Sequence, residues 1–314
     1  MTAMQQKKSH NLMGTFIVSM CALVWGFAFV FQQQASTDVP FFTFNGLRFS
    51  LAVCFIAVII VINHFIDKKR GKKSKPFNKE TLIGGSLCGL CLFLANNLQQ
   101  YGIEHTSVGK TGFITALYIV IVPLLGLLVR HRVSPFCRVA IAVGVLGFYL
   151  MCMTGADVTF TDADGVLLLC AVMFSLQIMF IDQYVDMTDP FKLTLVQFVV
   201  ASLLSLPAMA VQGFPPASAI GNNIVAILYV GIFSAGVGFT LQTLGQKYAP
   251  PELCTLIMSL ESVIALVSGV AILGETYTAK EFVGCLLVLL AVFLAQQHIP
   301  QTMLKTSDSK FFVD

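Results

Sequence analysis

Two ionisable side chains stand inside long apolar runs of this chain: Arg48, in FFTFNGLRFSLAVCFIAVII, and Glu261, in LCTLIMSLESVIALVSGVAIL. A charge at the middle of a bilayer costs at least ~2.5–3.5 kcal/mol, so each side chain needs a partner or a wet cavity. A carboxylate so placed can hold a cation or carry a proton. A guanidinium can hold an anionic group. The plainer readings are a structural ion pair, or a donor to turn carbonyls.

A second tier is neutral. Trp25 is the only tryptophan, and it lies near the middle of its run rather than at an end, where membrane tryptophans concentrate. Asn96, Asn97, Gln99 and Gln100 crowd one segment, Gln177, Gln197 and Gln242 fall in later ones, and Tyr118 interrupts an apolar stretch. An amide in hydrocarbon without a partner costs several kcal/mol. These side chains therefore line a wet cavity or bond from helix to helix. The candidate substrate-binding set is Trp25, Arg48, Asn97, Gln99, Tyr118, Gln177, Gln197, Gln242 and Glu261.

Signals for other chemistry fail. Val108-Gly109-Lys110-Thr111 ends like a phosphate loop, but Glu104 stands where its first glycine belongs. Neither H-E-x-x-H nor G-x-S-x-G occurs, and the histidines at 10, 64, 105, 131 and 298 are scattered. Cys88-Gly-Leu-Cys91 has redox-motif spacing inside an apolar helix pattern, which reads as packing. No enzyme, metal site or cofactor is expected.

The elements that position these residues are membrane spans. The chain has 314 residues, 56% hydrophobic and 11% charged, with mean hydropathy +0.82. Soluble domains carry about 25% charged residues, so this composition does not cover a water-facing surface. Taking roughly 20 apolar residues per span, ten are expected: 12–33, 41–63, 81–101, 107–129, 135–154, 164–184, 191–211, 222–245, 251–273 and 279–298. Lys7 and Lys8 before Leu12 resemble a signal peptide, but a run of span length reads as an uncleaved first helix. Pro123 predicts a kink in the fourth span. Gly26 permits a close helix approach.

With both termini in the cytoplasm, sixteen Lys and Arg fall on the inner side and only Lys110 and Lys280 on the outer. That is a strong positive-inside bias. The basic loop around Lys68–Lys79 is a topology signal that meets anionic lipid, and no nucleic-acid partner is expected.

The chain repeats itself. LQQYGIEHTSVGKTGFITALYIVIVPLLG from Leu98 aligns with LQTLGQKYAPPELCTLIMSLESVIALVSG from Leu241 at an offset of 143, which puts Tyr118 opposite Glu261. CALVWGFAFVFQQQ at Cys21 aligns with CAVMFSLQIMFIDQ at Cys170 at an offset of 149. VPFFTFNGLRF aligns with DPFKLTLVQFV, which puts Arg48 opposite Gln197 or its neighbour. Five spans per half turn the second half upside down. The expected fold is an all-α membrane protein with ten transmembrane helices in two inverted five-helix repeats, 12–154 and 162–298, around a central cavity. Neither charge is duplicated, so scaffold symmetry does not require them.

Trp25-Gly26, Arg48-Phe49, Leu260-Glu261-Ser262-Val263 and Leu273-Gly274-Glu275 together resemble the EamA-like branch of the drug/metabolite transporter superfamily, from about Gly14 to Gln296. The resemblance implies a basket-like bundle whose cavity is lined by spans one to four and six to nine. It places the fifth and tenth spans outside, where they offer a homodimer contact, and implies transport by rocking of the halves. The expected function is secondary active export of small polar or zwitterionic metabolites across the plasma membrane, with a coupled proton on Glu261. The competing readings are import of a small nutrient and a non-transporting receptor or scaffold.

Overall fold

The computed structural model describes residues 3–71, 76–105, 108–128, 135–152, 161–273 and 278–297, and these are helical with no strand among them. The helices are α1 (Ala3–Ser36), α2 (Phe41–Lys69), α3 (Lys79–His105), α4 (Val108–Ala116), α5 (Tyr118–Leu128), α6 (Pro135–Cys152) and α7 (Asp162–Tyr184). They continue as α8 (Pro190–Gln212), α9 (Ala217–Asn222), α10 (Ile224–Leu228), a π-helical stretch (Tyr229–Gly238) and α11 (Phe239–Tyr248). Then come α12 (Pro251–Met258), α13 (Leu260–Ser268), a second π-helical stretch (Gly269–Leu273) and α14 (Ala279–Gln297).

Seven helical segments are long and apolar enough to cross a membrane, and the apolar stretches 114–126, 138–147 and 282–294 are shorter. α7 runs unbroken through Gln177 and Asp182, and both side chains are buried. Turn chemistry sets the starts. Pro190 occupies the first turn of α8, and the Asp189 carboxylate accepts from the amides of Phe191 and Lys192 at 3.0 and 3.3 Å.

The fourth expected span breaks at Leu117 and not at Pro123, which lies inside α5. Leu117 bonds back to Ile114 and Val120 to Leu117 in i, i−3 fashion, a tight turn six residues before the proline. The ninth expected span breaks at Ser259, within one residue of the equivalent position at the offset of 143. The motif residues Gly274 and Glu275, Asp157, and the basic positions Lys72, Lys73, Lys75, Arg130, Arg132, Lys305 and Lys310 lie outside the described residues.

Helix pairings come in exchangeable sets. α3 packs on α7, as α1 packs on α11 and the first π stretch. α3 packs on α8, as that π stretch packs on α2. α1 lies against α12 and α13, as α7 lies against α4 and α5. α2 pairs with α8, and α6 with α14. At one end of the bundle, Asn223 Nδ2 donates to Asp38 (3.2 Å) and the amide of Phe42 to Gln212 Oε1 (3.0 Å). At the other, Asn78 Nδ2 donates to the Met187 carbonyl (3.1 Å), and Gly14 sits against Tyr248 and Ala249. We call these the Ser36 end and the Tyr248 end.

Candidate functional site

A narrow cavity of about 30 Å³ opens among α1, α2, α3, α4, α5, α7, α11, α12, α13 and the first π stretch. Its walls are crowded by aromatic rings; Trp25 and Phe239 meet with ring centres 4.7 Å apart. Two half-helices begin here: α5 with Tyr118 and α13 with Leu260 and Glu261. The Tyr118 hydroxyl donates to Glu261 Oε1 at 2.8 Å, and both side chains are buried. Carboxylates are favoured at helix starts because the first amide N–H groups point outward without partners.

Arg48 faces the same cavity from α2 and does not pair with Glu261. Its guanidinium donates to Gln32 Oε1 (3.4 Å) and Ser234 Oγ (3.1 Å), and its buried Nε has no partner. A buried guanidinium with two neutral acceptors keeps unspent capacity for an anion. Ser234 is presented by the π-helical stretch, a wider and rarer turn geometry found often at functional sites. Its carbonyl accepts from Trp25 Nε1 at 3.0 Å, so one residue anchors both the tryptophan and the arginine. Gly238 makes this approach possible, since a Cβ there would stand 2.4 Å from Trp25 Nε1.

Six of the candidate residues line the cavity: Trp25, Arg48, Gln99, Tyr118, Gln242 and Glu261. Three do not. Asn97 Oδ1 accepts from Asn45 Nδ2 at 3.1 Å in the contact with α2, while its neighbour Asn96 reaches the cavity. Gln177 stands behind Gln242 in a reciprocal amide pair (3.4 and 3.1 Å) and also donates to Gln197 Oε1 at 3.3 Å. These are bonds from helix to helix, the other role open to a buried amide.

The sequence reading passed over Gln32, Thr115, Ser234 and most of the apolar wall. The repeat register holds the missing signal. At the offsets 149 and 143, Trp25 and Phe174, Phe29 and Ile178, Asn96 and Phe239, Gln99 and Gln242, Thr115 and Met258, and Tyr118 and Glu261 are equivalent pairs, and every one of these residues lines the cavity. The positions repeat while the chemistry does not. In five of the six pairs a polar or larger side chain on the first half corresponds to an apolar or smaller one on the second, and only Gln99 and Gln242 are alike.

A cavity with a largely apolar wall and two separate buried ionisable side chains, set among apolar helices of membrane length, fits a membrane transporter. The chain belongs to the EamA-like transporter family, which it matches over residues 12–153 and again over 163–296. It is 28% identical over 283 residues to an uncharacterized transporter of Archaeoglobus fulgidus, covering 90% of this chain and 85% of the relative. A second uncharacterized transporter of that organism is 24% identical, covering 90% and 96%. One from Clostridium kluyveri is 22% identical, covering 76% and 80%. A crystal structure described only as that of a protein shares the fold with TM-score 0.72 at 16% identity, over 90% of this chain and 97% of that one.

Proposed function

We propose that this protein is a secondary active transporter that exports small polar or zwitterionic metabolites by alternating access between two inverted repeats of five spans. The ten spans are the seven long helical segments and the three shorter apolar ones. The carrying observation is the Tyr118–Glu261 hydrogen bond. The two residues are equivalent in the repeat register, and equivalent residues of a two-fold assembly touch only near its axis. An axis through this contact puts the cavity between the halves, where inverted-repeat transporters hold substrate. The exchangeable helix pairings support the same axis. Export is the direction the family resemblance favours.

In this reading Arg48 takes the anionic group of the substrate, and Glu261 takes its cationic group or a coupled proton. Trp25, Gln99, Tyr118 and Gln242 line the path, and Asn97, Gln177 and Gln197 hold the wall behind them. The protein sits in the plasma membrane with both termini in the cytoplasm, and the α6–α14 face offers the homodimer contact.

The test is flux in reconstituted vesicles across a pH range, after a thermal-shift screen of metabolite classes. A ligand at a hundred times its Kd stabilises the protein by about 2.7 kcal/mol. Glu261→Gln is expected to flatten the pH dependence of flux, and Arg48→Gln to abolish the thermal shift by carboxylate-bearing ligands. Unchanged flux and pH profile in Glu261→Gln would remove the assigned role.

A further inference from the structure

Arg48 and Glu261 occupy different levels of the cavity. Gly26 packs on the Glu261 carbonyl oxygen, and Gln32, on the same helix, takes the Arg48 guanidinium. Six residues of α1 separate the two, about 9 Å along the axis towards the Ser36 end. At the Arg48 level stand Asn45, Asn96 and Gln100, each 1% exposed or less. Among the described residues, Asn45 Oδ1, Asn96 Oδ1 and Gln100 Oε1 accept no hydrogen bond. Their nitrogens fix them in place: Asn45 Nδ2 donates to the Asn96 carbonyl at 3.1 Å, and Gln100 Nε2 to the Gln32 carbonyl at 3.4 Å. Asn96 lines the cavity with Gln32 and Arg48, and the amides of Asn45 and Gln100 stand behind that wall. Asn45 also precedes Arg48 by three residues, on the same face of α2.

This level therefore offers one free donor on a cation, Arg48 Nε, and three free acceptors on neutral amides. A buried acceptor without a donor carries the full desolvation cost of its oxygen, and a ligand that supplies the donor recovers it. The Nε calls for an anionic acceptor. The oxygens call for O–H or N–H groups on the same ligand. An ammonium would meet them beside the guanidinium, while Glu261 lies a level away and Glu104 eight residues beyond Asn96, about 12 Å along α3. A hydroxyl has no charge to be repelled. One guanidinium with two nitrogens already engaged balances a single negative charge, as on a carboxylate. We propose that this level is a subsite for a small hydroxylated carboxylate, with its anionic group on Arg48 Nε and its hydroxyls on Asn96, Asn45 and Gln100. The proposal rests on the transport reading and narrows its substrate to hydroxy acids, leaving Glu261 to the coupled proton. The cavity as it stands has room for about two water molecules, so the ligand enters as the halves part.

Three-carbon acids test the chemistry at nearly constant size. Propionate, glycerate, alanine and 3-aminopropionate are titrated against the thermal midpoint of the purified protein. Glycerate is expected to bind roughly tenfold to a hundredfold more tightly than propionate, from two hydroxyl contacts at roughly threefold to tenfold each, and more tightly than either amino acid. In Asn96→Leu the advantage of glycerate over propionate is expected to shrink by roughly threefold or more, with propionate binding kept. Gln100→Leu takes its place should that variant fail to fold, and the parent series decides alone should neither fold. An amino acid that binds as tightly as glycerate, glycerate no tighter than propionate, or an advantage unchanged in the folded variants overturns the subsite. So does a parent that none of the four acids stabilises. Counterflow of the same acids in vesicles reads the transport proposal separately. A parent that binds glycerate as expected and carries nothing keeps the subsite and loses transport, and one that carries alanine but neither binds nor carries glycerate loses the subsite alone.

Discussion

Tyr118 and Glu261 each open a half-helix, and each is the other's partner at 2.8 Å. A hydrogen bond to an ionised group contributes about 1.5–3 kcal/mol. Tyr118→Glu sets two carboxyls against each other, and Glu261→Tyr removes the acid. The double exchange restores one phenol and one carboxyl across the same contact. Its thermal midpoint is expected above that of Tyr118→Glu, with a coupling energy of roughly 0.5–3 kcal/mol in the double-mutant cycle. Additive effects in that cycle would show that the two positions are not interchangeable about an axis. The position of these two residues was legible because a buried charge and its repeat-equivalent stand out in apolar sequence. Asn97 was not separable from Asn96 by type: neighbours on a helix differ by about 100° in direction, so one faces the cavity and the other faces Asn45. Ser234 gave no signal because the hydrophobic pattern of an α-helix does not reveal a π-helical stretch that re-aims a serine.

The helices themselves were written in the pattern of apolar runs and proline-marked turns, and their close approaches in the glycines. α1 and α13 meet at Gly26, where a Cβ would stand 2.5 Å from the Ile264 Cβ and 2.9 Å from the Glu261 carbonyl oxygen. The second of these neighbours is backbone and cannot swing aside. Gly26→Ala is therefore expected to destabilise by about 1–3 kcal/mol, the usual cost of overpacking, and to displace Glu261 with the helix that carries it. Gly221, within α9, has open space around its Cβ position. Gly221→Ala is expected to be neutral or to stabilise by up to ~1 kcal/mol through helix propensity. Thermal unfolding of both variants in one detergent checks the contrast, and equal effects would mean that the α1–α13 contact is not tight. The break at Leu117 lay beyond the sequence signal. Pro123 marks a missing hydrogen bond, but the turn forms where Leu117 and Val120 make i, i−3 bonds. The Tyr118–Glu261 hydrogen bond joins the two half-helix starts at that position, and no single residue type encodes the turn.

At the scale of the whole molecule, the two ends of the bundle differ in charge as well as in contacts. The Tyr248 end gathers the cations Lys68, Lys69, Arg70, Lys79, Arg138, Lys192 and Lys247, beside the acids Asp67, Glu80, Asp186, Asp189 and Glu252, and the Ser36 end has Asp38, Glu104 and Asp162 with Lys280. Each Lys or Arg near an anionic cytoplasmic leaflet contributes about 1 kcal/mol, and translocating several of them together opposes insertion the other way round. The Tyr248 end is therefore expected in the cytoplasm. Phe214, 71% exposed in the turn after α8, lies at the Ser36 end, and Phe77, 49% exposed before α3, lies at the Tyr248 end beside Lys192. Neither lines the cavity, so a cysteine at either reports side and not access state. Among the described side chains the one exposed native thiol is Cys54, within the apolar α2, and the parent chain, labelled alongside, serves as the blank. A membrane-impermeant maleimide added to intact cells is expected to label Phe214→Cys and to spare Phe77→Cys until the membrane is permeabilised. Labelling of Phe77→Cys alone would invert the orientation. Labelling of both in intact cells would place the two ends on one side, which no arrangement of spans crossing from the Ser36 end to the Tyr248 end allows.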